Sequence, residues 1–140
     1  MGRSDAQWKQ LLTPEQYAVL RQKATEVPFS GKYVYNENDG TYVCAACSVE
    51  VFASEHKFDA LCGWPSFNNV IGSEAVLLKE DLSHGMRRVE VMCKSCGSHL
   101  GHVFNDAPDQ PTGMRFCINS TSLDFIPQDL ANKKGGQHKK

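Results

Sequence analysis

The rhythm of apolar and polar positions changes once along this chain, near Lys32. Before that point it is helical. Thr13-Pro14-Glu15-Gln16 sets a capping threonine ahead of a proline at the first helical position, with a glutamine at the reciprocal capping position. Tyr17, Leu20 and Ala24 follow at spacings of three and four, one helical face, and Pro28 and Gly31 stop the run. A shorter helical turn over residues 6–12 precedes it. After Lys32 the pattern is short and strand-like. Tyr33-Val34-Tyr35 and Thr41-Tyr42-Val43 predict a hairpin across Asn38-Asp39-Gly40, because Asp-Gly tolerates the positive φ angles of tight turns.

Further strands are predicted over residues 49–52, 75–79, 88–92, 102–104, 115–119 and 123–126. These runs are rich in β-branched and aromatic residues and are separated by Gly, Asn, Asp and Pro. Residues 106–113 read as a loop. Many short strands with little helix between them give a mainly β fold class: two antiparallel sheets forming a sandwich or partial barrel, with short N-terminal helices. No repeat of the solenoid or propeller kind is visible. The expected organisation is a helical segment over 1–30 packed on a catalytic β domain over 31–130, followed by a flexible basic tail over 131–140.

Composition narrows the function. A net charge of −1, with no basic stripe before the extreme C-terminus, removes the electrostatic footprint of a nucleic-acid binder. No apolar run is long enough to cross a bilayer, and MGRSDAQWKQ carries no signal-peptide core, so a cytoplasmic protein is expected. Six cysteines in a reducing compartment point to metal binding or redox chemistry rather than a disulfide framework.

Four of the six form two C-x-x-C units, Cys44-Ala45-Ala46-Cys47 and Cys93-Lys94-Ser95-Cys96, each following a predicted strand. A two-residue gap lets both thiolates of one unit reach a single ion, and two such knuckles complete the tetrahedron of a closed structural zinc site. Redox-active dithiols of the thioredoxin kind would require a βαβ context that is absent. A site built from Cys93, Cys96, His99 and His102 is a rival, but so short a segment wraps a tetrahedron poorly and leaves Cys44 and Cys47 without a role. Four thiolates leave no open position for water, so the expected ion is structural.

Cys62 and Cys117 remain. In Arg115-Phe116-Cys117-Ile118-Asn119, period-two geometry places Arg115, Cys117 and Asn119 on one face and Phe116 and Ile118 on the other. An arginine on the same face favours the reactive thiolate; the alternative is a small apolar strand residue. Cys62 opens the turn-forming Cys62-Gly63-Trp64-Pro65-Ser66-Phe67. Trp64 either caps the core or walls a small apolar site. His99 and His102 follow the second knuckle closely, in structural or catalytic roles. His56, His84 and His138 lie in polar stretches and read as ordinary surface histidines.

The five elements together, in this order from about residue 12 to 127, resemble the methionine sulfoxide reductase B family, the peptide-methionine (R)-S-oxide reductases. The tryptophan loop and the Arg-Phe-Cys-Ile-Asn strand carry most of that resemblance. It implies Cys117 as nucleophile and Cys62 as resolving cysteine. It further implies Cys44, Cys47, Cys93 and Cys96 as zinc ligands, and Trp64, His99, His102, Arg115 and Asn119 around the substrate. The implied partners are proteins carrying methionine sulfoxide, and thioredoxin as reductant. Two other readings are a zinc-ribbon binding module without catalysis and a zinc-regulated redox sensor; a Cys62–Cys117 disulfide would separate the module from the enzyme, and sulfoxide turnover the sensor.

Overall fold

In the computed structural model, residues 4–60, 62–72 and 74–128 are described; the basic tail and His138 lie outside them. Two helices open the chain, α1 (Asp5–Leu11) and α2 (Pro14–Gln22). Both begin with a reciprocal capping box, Ser4 with Gln7 and Thr13 with Gln16, so the local sequence alone satisfies their first amides. α2 ends sooner than Pro28 requires. Lys23 adopts the left-handed conformation, and the Ala24 amide turns back to the Ala18 carbonyl at 2.9 Å. Ala24 is therefore off the helix, and residues 24–31 cross the molecule as an irregular strap.

The rest is two antiparallel sheets. The smaller has the order β2-β1-β9, from β1 (Gly40–Cys44), β2 (Glu50–Ala53) and β9 (Leu123–Pro127). The larger has the order β3-β4-β8-β7-β6-β5. Its strands are β3 (Lys57–Phe58), β4 (Ser66–Phe67), β5 (Val76–Asp81), β6 (Arg88–Cys93), β7 (His99–Phe104) and β8 (Arg115–Ile118). Phe52 from the first sheet stacks on Phe67 from the second at 4.4 Å, and Tyr42 meets Phe67 edge-on at 5.1 Å. Val91, Leu100, Ile118 and Leu123 fill the remaining core and are almost fully buried. No described helix is long and apolar enough to cross a membrane.

One expectation fails. Tyr33-Val34-Tyr35 is not a strand, and there is no hairpin across Asp39-Gly40: residues 32–35 are turns. Both edges of β1 are already taken, by β2 and by β9. The Tyr33 amide donates to Ser120 Oγ at 3.1 Å and the Asn36 amide to the Tyr33 carbonyl at 3.2 Å. The Tyr33 ring packs edge-on against Tyr42 at 5.5 Å. Alternating aromatics here serve ring packing, a tertiary effect that overrides strand propensity. Conversely, β3 and β4 are two-residue strands, too short to leave a pattern.

Candidate active site and metal centre

The two cysteine knuckles are built alike. β1 and β6 each run into the first cysteine of a pair, and each ladder carries a register irregularity just before it, at Tyr42/Val43 and Val91/Met92. Such bulges re-aim the end of a strand. The Ser48 and Gly97 amides then close equivalent turns onto the Cys44 and Cys93 carbonyls at 2.7 and 2.8 Å. Both residues take positive φ, 67° and 77°. Arg21 of α2 fastens the second knuckle from outside, donating to the Cys96 carbonyl at 3.0 Å and to Ser98 Oγ at 3.1 Å.

The four Sγ atoms of Cys44, Cys47, Cys93 and Cys96 lie within 4.8 Å of one another. Cys44 and Cys96 approach to 3.7 Å, and Cys47 and Cys93 to 3.6 Å. A tetrahedron with metal–sulfur bonds of about 2.3 Å has edges of about 3.8 Å. The donor set therefore fits a tetrahedral metal ion. Hydrogen bonds from Cys44 and Cys93 hold the Cys96 thiol well below the usual range, and those to Cys93 and Cys96 push Cys44 up. Four sulfurs packed this closely share protons that a bound ion would displace. The rival site is not assembled. His99 is bonded through Nδ1 to Glu90 Oε2, and His102 through Nε2 to Asp81 Oδ2, both at 2.8 Å. Among the described residues the four cysteines are the one cluster of three or more metal-binding side chains.

Cys62 and Cys117, 55 residues apart, are brought together with Sγ atoms 3.3 Å from each other. Cys117 sits in β8 opposite Ser66 of β4 and His102 of β7. The alternation along β8 is as predicted: Phe116 and Ile118 are buried, Arg115 and Cys117 half-buried. Cys62 reaches the pair from a loop in which Gly63 takes φ 93°. The two sulfurs share a proton. The hydrogen bond with Cys117 holds the Cys62 thiol down to about 5 against desolvation, helped by Ser66 Oγ at 3.2 Å. The same bond, together with burial, pushes Cys117 up. One proton thus leaves the pair easily and the second is retained. Arg115 adds only a smaller electrostatic pull on both thiols; its main engagement is a two-pronged ion pair with Asp106 at 3.0 and 2.9 Å. The expectation that Arg115 alone favours a Cys117 thiolate gives way to one in which the neighbouring thiol dominates.

A cavity of about 310 Å³ opens over the pair, with Trp64, His102, Arg115, Cys117 and Asn119 on its wall. His99 is not on that wall. It is 3% exposed and packs its ring edge-on behind His102, centroids 5.5 Å apart. Burial lowers its pKa, with Glu90 pulling the other way. Asn119 Nδ2 donates to the Leu100 carbonyl at 3.1 Å, which fixes the amide at the cavity floor. Asp81, held well below the usual carboxylate range chiefly by its bond with His102, orients that ring. Sequence reasoning did not find Thr25 or Arg88, which line the same cavity, nor the carboxylates of Asp81, Glu90 and Asp106. Each acts through a partner on another strand or loop, 9 to 21 positions away, at a spacing that no local pattern marks.

A family model described as SelR domain matches residues 12–127. A peptide methionine sulfoxide reductase MsrB of Methanosarcina barkeri is 60% identical over 127 residues, 91% of this chain and 89% of that protein. The Chromohalobacter salexigens protein of the same name is 54% identical over 125 residues, 89% of this chain and 94% of that protein. Methionine-R-sulfoxide reductase B3, mitochondrial, of Mus musculus is 48% identical over 132 residues, 94% of this chain and 52% of the mouse protein. With the model spanning most of the chain and identities at this level, the chain belongs to the SelR domain family, that of the MsrB methionine sulfoxide reductases.

Proposed function

We propose that this protein reduces the R epimer of methionine sulfoxide in oxidised proteins, with Cys117 as nucleophile and Cys62 as resolving thiol. The observation that carries the reading is the 3.3 Å dithiol at the floor of a cavity walled by Trp64. A sulfoxide presents an apolar methyl, an electrophilic sulfur and a partly negative oxygen. Trp64 packs on the methyl. His102 and Asn119, with His99 behind them, receive the oxygen as it gains charge and takes up protons. With one proton already lost from the pair, the retained proton passes from Cys117 to the Cys62 thiolate across 3.3 Å as the Cys117 sulfur attacks the sulfoxide sulfur. The oxygen is transferred to Cys117, methionine leaves with the sulfur electron pair, and Cys117 becomes a sulfenic acid. The Cys62 thiol attacks that sulfur, an S–S bond forms and water departs. An external dithiol, thioredoxin, then reduces the disulfide by exchange and carries the two oxidising equivalents away.

Cys44, Cys47, Cys93 and Cys96 would hold zinc, which would supply a cross-link between the ends of β1 and β6 rather than chemistry at the substrate. The catalytic unit begins at residue 31, and the described N-terminal residues 4–30 belong to the segment packed against it. A reducing compartment such as the cytoplasm suits six free thiols.

The test is turnover with separated epimers. Cys117→Ser should abolish reduction of the R epimer. Cys62→Ser should still reduce one equivalent and then stall with thioredoxin as the sole reductant. Full activity of the first variant would overturn the assignment of the nucleophile, and undiminished cycling of the second would overturn that of the resolver.

A further inference from the structure

The strap over residues 24–31 lines the cavity with Thr25 and holds two of the cavity's walls through the next residue, Glu26. Its main-chain carbonyl accepts the Trp64 indole Nε1–H at 3.1 Å, and its amide donates to Asn119 Oδ1 at 3.1 Å. Two walls of the cavity, from different loops, thus hang on the two sides of one residue's backbone. The Glu26 side chain then pins that backbone. Oε2 accepts the Ser120 amide at 2.9 Å, while Oε1 accepts the Thr121 amide at 2.9 Å and the Thr121 hydroxyl at 2.8 Å. These donors open the short 3-10 turn Ser120–Ser122, whose own capping residue, Asn119, makes no side-chain cap. Asn119 is free to face the cavity because Glu26 does the capping from outside. Close packing seals the arrangement: a side chain at Gly31 would run into Ser120 Oγ and Glu26 Oε2.

We infer that Glu26 is a positioning residue for the site. Its carboxylate fixes the strap, and the strap sets where the Trp64 indole and the Asn119 amide stand relative to Cys117. The inference rests on the proposed sulfoxide reaction for its kinetic consequence, though not for its geometry. The two walls differ in how far they depend on Glu26. Asn119 keeps its bond to the Leu100 carbonyl and its place at the end of β8, whereas the indole N–H is held by the strap. Loss of the carboxylate therefore weakens the grip on the substrate methyl group more than the support of the oxygen. That is a loss of binding more than of the chemical step.

The test compares Glu26→Ala and Glu26→Gln with the parent protein, in metal-loaded full-length chains. Turnover of a methionine-R-sulfoxide peptide is measured together with Trp64 emission, read in a Trp8→Phe background so that a single indole reports. Glu26→Ala should raise KM about tenfold while kcat falls less than threefold, and Trp64 emission should shift to the red. Glu26→Gln keeps the size but turns its NH2 against a main-chain N–H, because both carboxylate oxygens accept amides, and should be impaired in the same direction. A lower melting temperature with KM and emission unchanged would overturn the inference, because Glu26 would then serve stability alone. So would a Glu26→Gln variant with the KM and emission of the parent, because the two acceptor oxygens would then not be needed. If the parent does not turn over sulfoxide at all, the proposed reaction fails, and Trp64 emission in the same variants still decides the role of Glu26.

Discussion

Gly101→Ala tests how tightly the catalytic register is held. Gly101 lies in β7 opposite Ile118, one residue from the His102 and Cys117 pair. A Cβ there meets Ile118 Cα at 2.9 Å and the Cys117 carbonyl carbon at 3.1 Å, and it lies closer still to the carbonyl oxygen, where ordinary contact begins at 3.4 Å. The obstacles are all backbone, so no rotamer change relieves them. β7 and β8 must part by at least half an ångström, roughly the shortfall at Ile118 Cα. Overpacking of this kind costs about 1–3 kcal/mol, and one weakened ladder hydrogen bond adds about 1 kcal/mol. The sum, roughly 2–4 kcal/mol, corresponds to a fall in Tm of about 8–16 °C for a chain of this length. It leaves the protein folded at 25 °C, since a typical domain has about 5–15 kcal/mol to lose. At that temperature kcat/KM should fall by a factor on the order of 10 to 100, because displacement of about 1 Å at a reacting centre costs about 100-fold. Calorimetry and steady-state kinetics on the one variant read both effects. If it melts within about 2 °C of the parent and keeps its kcat/KM, the strands have slack at this register and the reasoning is wrong.

Three further outcomes follow from the geometry. Alkylation of Cys62 and Cys117 by iodoacetamide, followed by peptide mass spectrometry as a function of pH, should show a reactive thiolate that persists as pH falls and is lost near 5; a midpoint at an ordinary thiol value of about 8.5 would refute the shared proton. Cys96→Ser should bind less metal by elemental analysis and lower the melting temperature, as should prolonged chelation of the parent; a chelated protein with unchanged melting would show that the cross-link contributes nothing to the fold. Glu90, 1% exposed, meets both His99 and Lys23, so Glu90→Gln should cost roughly 2 kcal/mol, the loss of charged hydrogen bonds. Folded His99 gives up its proton more readily than the unfolded chain does, so its contribution to stability is complete above the ordinary histidine range and is lost as pH falls through it. Removing the Glu90 charge, which opposes that shift, should steepen this acid loss, as measured by melting between pH 7 and 5. An unchanged slope would mean that His99 and Glu90 do not couple.

Where sequence reasoning succeeded, the controlling interactions were local. Thr13 announces its helix because its capping partner Gln16 sits three residues away. Phe116 and Ile118 alternate with Cys117 because a strand in a half-buried sheet imposes period two. The two C-x-x-C units were legible because a metal site needs that spacing within each knuckle. Where sequence reasoning stopped, the partner lay on another element of the fold. Tyr33 belongs with Tyr42 and Ser120 rather than with a strand. Glu26 bonds to residues more than 90 positions away. The resemblance places His99 around the substrate with His102, but its bond to Glu90 on the adjacent strand holds its ring behind the cavity wall. Arg115 is in the same class: its charge was evident, and its commitment to Asp106 across the loop was not.

The 3.3 Å between Cys62 and Cys117 also bears on which fate an oxidised Cys117 meets first. One thiol confined to a sphere of that radius is present at an effective concentration on the order of 10 M, before any gain from orientation. A soluble oxidant at millimolar levels or below competes at a disadvantage of roughly ten-thousandfold in encounter alone. On the proposed reaction, a Cys117 sulfenic acid would therefore be captured as a disulfide before a second oxygen could carry it to the irreversible sulfinic state. Because the two sulfurs already stand this close before any oxidation, the fold would on that reaction limit self-inflicted damage during its own cycle.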